Sequence, residues 1–98
     1  MTCRGRAPIV DVMRIASRLD VAEQVAKLVE SGEARARREH LGLTVQEAAR
    51  RCGGVHPTAI SLWERGLRRP SGRNLAAYAR LLDRMAAVIA QEAGEDAA

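Results

Sequence analysis

Between residues 46 and 74, this chain of 98 residues interleaves two kinds of side chain that suit recognition better than bond-making. Thr58, Ser61, Leu62 and Arg65 recur at intervals of three and four, the spacing that gathers residues on one face of a helix. Around them stand Gln46, the pair Arg50 and Arg51, His56, the pair Arg68 and Arg69, and Arg73 with Asn74. Hydroxyls donate or accept hydrogen bonds, and a guanidinium fork holds two oxygens of an oxyanion at once. The set addresses a polyanion that also presents hydrogen-bonding edges. It does not address catalysis: the sequence has no paired carboxylates, no metal-ligand spacing, no phosphate loop and no Cys/His arrangement, and no nucleophile or carboxylate neighbours His56. Neither a catalytic residue nor a metal ligand nor a cofactor is expected.

Two short helices must position these side chains. Thr44 with Glu47 three residues on is a capping box, the best start signal in the chain. The helix it opens, 45–52, turns Ala48, Ala49 and Cys52 inward, and Gly53-Gly54 ends it. His56-Pro57 opens a second helix with Pro57 at its first position, where a missing N–H costs nothing. Ile60 and Trp63 anchor that helix from below, Val55 packs at its entry, and Gly66 closes it. Two compact helices joined by a glycine turn are the helix-turn-helix pattern, whose second helix enters the DNA major groove. On that reading Thr58, Ser61, Leu62 and Arg65 meet base edges, with Thr58 or Leu62 against a thymine methyl. Gln46, Arg50, Arg51, His56, Arg68, Arg69, Arg73 and Asn74 meet phosphates. Ser71 and the free N–H groups of the next helix add an anion site. His56 serves as helix cap or phosphate contact.

The rest of the chain supports an all-α fold, a compact bundle of five to six short helices. Aromatics are nearly absent (one Trp, one Tyr, no Phe), while alanine, leucine, arginine and glutamate dominate. Net charge is +4, and only Lys27 among the sixteen basic residues is not arginine. A GC-rich coding sequence also yields arginine and alanine, so where the arginines stand counts for more than their number. Residues 1–98 read as one domain: a basic flexible arm at 1–7, one bent or two helices at 8–30, the core at 32–83, and a C-terminal helix with a frayed tail at 84–98. Val12, Ile15, Ala16 and Leu19 form one apolar stripe, and Val21, Val25, Leu28 and Val29 another, with Asp20 as cap or break between them. Ser31 is expected to cap the following helix and Gly42 to stop it. The last stripe, Leu75 to Ile89, makes one long helix or two joined helices ending near 92. Cys3 and Cys52 are too few for a disulfide framework, and neither a membrane span nor a secretion signal is recognisable, so a reducing cytoplasm is the simplest location.

Between about 32 and 83 the sequence resembles the Xre/Cro-type helix-turn-helix family of phage repressors and bacterial regulators. The matching residues are Arg38-Glu39, Gly42-Leu43-Thr44, Glu47 to Arg51, Val55, Ile60-Ser61, Trp63-Glu64-Arg65-Gly66, Arg68 to Ser71, and Asn74-Leu75. The resemblance implies a lambda-repressor-like DNA-binding domain and an ion pair between Arg38 and Glu64 that orients the helices. The sequence departs from it at three places. Val45, with Gln46 next, stands where many members place the phosphate-contacting glutamine. Gly53-Gly54 makes the turn one residue longer than the common form, and Pro57 shifts readout toward Thr58.

The expected function is a double-stranded-DNA-binding transcriptional regulator, a repressor that occupies its operator. A domain this small covers little DNA, so it is expected to act as a homodimer on a palindromic operator. The stripes at 9–29 and 78–89 either close the core or form the dimer contact. Arg4 and Arg6 belong to an arm that either enters the minor groove or stays unbound. The competing reading is an antitoxin or other protein-binding helix-turn-helix module. No small-molecule ligand and no membrane is expected.

Overall fold

The computed structural model of the chain describes residues 19–97, with side chains to 94. The expected arm at 1–7, with Arg4 and Arg6, and the stripe of Val12, Ile15 and Ala16 lie outside these residues. Among the described residues the chain forms five helices and no strand: α1 at 19–30, α2 at Glu33–His40, α3 at Val45–Arg51, α4 at Pro57–Glu64 and α5 at Gly72–Ala97.

Local signals account for most of these bounds. Thr44 Oγ1 accepts the Glu47 N–H at 3.1 Å, and a Glu47 carboxylate oxygen accepts the Thr44 N–H at 3.0 Å, so the capping box at α3 is complete. His56 and Pro57 open α4 as cap and first residue. Three helices end in one way. After α2, the Leu43 N–H bonds the Arg38 carbonyl and the Gly42 N–H bonds Glu39. After α3, Gly54 bonds Ala49 and Gly53 bonds Arg50. After α4, Leu67 bonds Leu62 and Gly66 bonds Trp63. Each is the paired hydrogen-bond ending that needs a left-handed residue just beyond the cap. Gly42 and Gly66 supply it with φ +70° and +73°.

Three bounds differ from the sequence reading. Asp20 lies inside α1 and neither caps nor breaks it, because the Val21, Val25, Leu28 and Val29 stripe holds the helix while Asp20 stays in water. The cap of α2 is Gly32, not Ser31. The turn there is left-handed (φ +83°), so Ser31 sits one residue too early; its hydroxyl bonds the Leu28 carbonyl and accepts the Glu33 N–H. The C-terminal stripe is a single 26-residue helix that continues to Ala97, past the end expected near 92 and through Gly94. A helical glycine costs about 1 kcal/mol relative to alanine, which weakens a helix without ending it.

The core lies where α3 and α4 cross and α5 runs beneath them. Ala48, Ala49, Cys52, Ile60, Trp63, Tyr78, Leu81, Leu82 and Met85 are buried, joined by Val25 of α1 and Ala34 of α2. Alanines at 48 and 49 let the backbones approach closely. The rings of Trp63 and Tyr78 meet at 5.0 Å, tilted by 51°, in the tilted contact that aromatic quadrupoles favour. Burial pushes the Cys52 thiol up to about 11, so it packs as a small apolar group and is no nucleophile at neutral pH. Arg37 reaches from α2 to donate to the Leu82 carbonyl of α5 at 3.1 Å.

The capping box makes stability depend on pH in a defined direction. Hydrogen bonding from the Thr44 backbone, then from its hydroxyl, with help from Arg50 and Arg51, holds the Glu47 carboxyl below the usual glutamate range. A lowered folded value means that the contribution is full above the unfolded value and is lost as pH falls through the folded one. Glu47→Gln should therefore flatten the acid side of a plot of melting temperature against pH, and Thr44→Ala should cost about 1 kcal/mol at neutral pH in urea unfolding.

Candidate nucleic-acid interface

The orientation of α4 is fixed before any ligand arrives. Arg38, near the end of α2, donates from Nε to Glu64 Oε2 at 2.6 Å and from Nη2 to Oε1 at 3.1 Å, while Nη1 donates to the Leu43 carbonyl at 2.7 Å. The Arg38 side chain is 13 % exposed and that of Glu64 6 %. One guanidinium thus ties the last turn of α2, the connection into α3 and the last residue of α4. The bond to Glu64, opposed by burial, raises the arginine further above its ordinary value, so the guanidinium stays charged.

With one side of α4 anchored, the other points away from the core. At about 100° per residue, Thr58, Ser61, Leu62 and Arg65 fall within an arc of roughly 100°, opposite Ile60 and Trp63. Thr58 and Arg65 are exposed; Ser61 and Leu62 are half-buried. Leu62 shares the lining of a groove with Arg68 to Ser71, and its carbonyl accepts the Leu67 N–H at 3.0 Å. His56 Nδ1 accepts the Thr58 N–H at 3.1 Å. That bond occupies Nδ1 as the acceptor and leaves Nε2 of the exposed ring for a further partner.

Not all of the sequence-named residues share one place. His56, Thr58, Leu62, Arg68, Arg69 and Asn74 line a shallow groove between α4 and the start of α5. Ser61 and Arg65 lie outside it, on the outer side of α4. Arg51 and Arg73, with Asn74 again, line a second cleft between the end of α3 and α5. Gln46 and Arg50 are exposed on α3 and join neither. Ala59, Trp63 and Pro70 also line the first groove. Leu67, 62 % exposed beside Arg68, escaped the sequence reading; its only signal was its place just after Gly66, where a helix end turns the chain outward.

Charge pairing sorts the arginines. Those of α2 are committed: Arg35 to Glu39, Arg37 to Glu33 and Arg38 to Glu64. Among the described residues, Arg50, Arg51, Arg65, Arg68, Arg69 and Arg73 have no carboxylate within 4.0 Å. The arginines that flank α4 are all among those left uncommitted. The described residues include no helix long and apolar enough to cross a membrane.

Two short helices packed across a glycine turn, the second presenting a polar outer face between free guanidinium groups, define a helix-turn-helix module. A helix-turn-helix family model matches residues 35–84, just over half of the chain, and the chain belongs to that family, the Xre/Cro-like branch of DNA-binding regulators. No curated protein and no solved structure matches the chain.

Removing one member of the Arg38–Glu64 pair strands the other in a dry place. Glu64→Ala should lower unfolding free energy by about 3 kcal/mol. The double variant Arg38→Met, Glu64→Leu should recover most of that loss in urea denaturation followed by circular dichroism.

Proposed function

We propose that this protein is a sequence-specific transcriptional regulator, a repressor that reads the major groove of duplex DNA with the helix from about 57 to 65. The observation that carries the reading is the outer face of α4: Thr58, Ser61, Leu62 and Arg65 stand opposite the anchored Ile60–Trp63 side, bordered by arginines without carboxylate partners. Thr58 and Ser61 take base edges, Leu62 takes a thymine methyl, and Arg65 takes a guanine or a phosphate. His56 offers Nε2–H to the backbone on one side of the groove. Arg68, Arg69, Asn74 and the first N–H groups of α5 hold it on the other. Arg51 and Arg73 extend the contact toward α3, and Gln46 and Arg50 stand ready on its exposed surface. Binding as a homodimer to a palindromic operator supplies the affinity that one such face lacks.

Base readers and phosphate holders respond differently to substitution. Selection of bound sites from random duplexes, followed by salt titration of the best site, separates them. Thr58→Ala should relax preference at one or two base positions. Arg69→Gln should weaken all duplexes alike and lower the salt slope by about one unit. Loss of base preference in Arg69→Gln would reverse these roles, and failure of every duplex to bind at low salt would end the reading.

A further inference from the structure

The far side of α5 carries two features that α4 does not explain. The first is a groove. Leu81 and Met85 form its floor, Leu41 and Leu43 one wall, and Arg51 and Arg84 its rim. Val88 lies at its end, 42 % exposed, one of three large apolar residues so exposed among the described residues. The neighbouring cleft shares Arg51 and Arg84 and adds Arg80, with Asp83 the one acidic residue lining it. Neither Arg80 nor Arg84 has a carboxylate within 4.0 Å among the described residues.

The second feature is the end of the same helix. Residues 90–94 are helical and all exposed. Five consecutive residues cover more than one full turn, so no side of the helix packs on the bundle there. This free end is acidic where the groove is basic: it carries Glu92, and the sequence adds Glu95 and Asp96. Glu92 approaches His40 at 3.5 Å, but both side chains are more than half exposed, which leaves the carboxylate open to a stronger partner.

We propose that two copies of this chain pair through α5, antiparallel and centred on Val88, so that the free end of each helix lies along the groove of the other. Val88 then meets the partner's Val88 on the twofold axis. Residues equally distant on either side of it face one another, which sets Glu92 against the partner's Arg84, twice by symmetry. The register follows from charge. A parallel pair, or an antiparallel pair centred on Met85, would bring Arg84 beside its own copy, and like charges in contact oppose assembly. The groove and the helix that fits it thus belong to one sequence. The pairing deepens the homodimer of the proposed reading by naming its surface, yet it is tested without DNA.

The test is sedimentation equilibrium of the full chain, from micromolar to submillimolar concentration. Wild type should approach twice the monomer mass. Arg84→Glu and Glu92→Arg should each raise the dimer dissociation constant by roughly tenfold or more, and the two together should return it to within about threefold of wild type, because each reversed charge then meets its reversed partner. Val88→Asp, at an exposed position, should keep its helical circular dichroism and sediment as a monomer. A wild type that stays monomeric throughout would overturn the pairing and leave the groove to an acidic segment of another protein. A double variant no tighter than the singles, or a folded Val88→Asp protein that dimerises like wild type, would overturn it equally. Loss of DNA binding with dimerisation intact would count against the proposed function alone.

Discussion

The contact on which the arrangement turns is the one made by Arg38. Its guanidinium spends three of its donors on the Glu64 carboxylate and the Leu43 carbonyl, and so joins α2, the entrance to α3 and the end of α4 at one point. An ionised pair this dry adds little net stability over a well-packed apolar contact, because both charges have left water. What it adds is direction. Carboxylate and guanidinium meet well only in a narrow range of positions, so the last turn of α4 has little freedom to roll. A helix of eight residues, held otherwise chiefly by Ile60 and Trp63 with Ala59 packed beside them, needs such a constraint if its outer side chains are to hold a fixed register.

A division of charge accompanies that constraint. Arginines in α2 are neutralised within the fold, whereas those at the end of α3, after α4 and at the start of α5 are not. Bringing uncompensated cations together on one side costs stability through mutual repulsion, and a polyanion relieves it. The same chain keeps acidic residues for the far end of α5, about 30 Å along a straight helix from Arg73 at 1.5 Å per residue. The acidic end of α5 thus lies well apart from the arginines at its start.

How much of this was legible in the sequence depends on how local the cause is. Thr44 with Glu47, Gly42, Pro57 and Gly66 act within four residues of their own positions, and their consequences could be read directly. The inward side of α4 was legible too, since Ile60 and Trp63 leave little choice of face. Arg38 and Glu64 are 26 residues apart, and only the resemblance to a known family joined them; their bond follows from how α2 and α4 pack. Leu62 is half-buried although its helical position faces outward, which periodicity does not register. Asp20 reads as a cap or break from its intrinsic preference, and the last apolar stripe stops near 92, yet the chain stays helical through both Asp20 and Gly94. The groove at Leu81 and Met85 draws its wall from Leu41 and Leu43, forty residues away, and no local pattern announces it.

In the proposed function, the outer side of α4 and the arginines around it form the surface that meets a duplex. The most direct test is the change in backbone amide and arginine side-chain resonances when a mixed-sequence duplex is added at low salt. Shifts should concentrate at His56 to Arg65 and Arg68 to Asn74 while Leu81 to Val88 stay in place. Shifts centred on Leu81 to Val88 with α4 unmoved, or none at all on saturation with duplex, would contradict it.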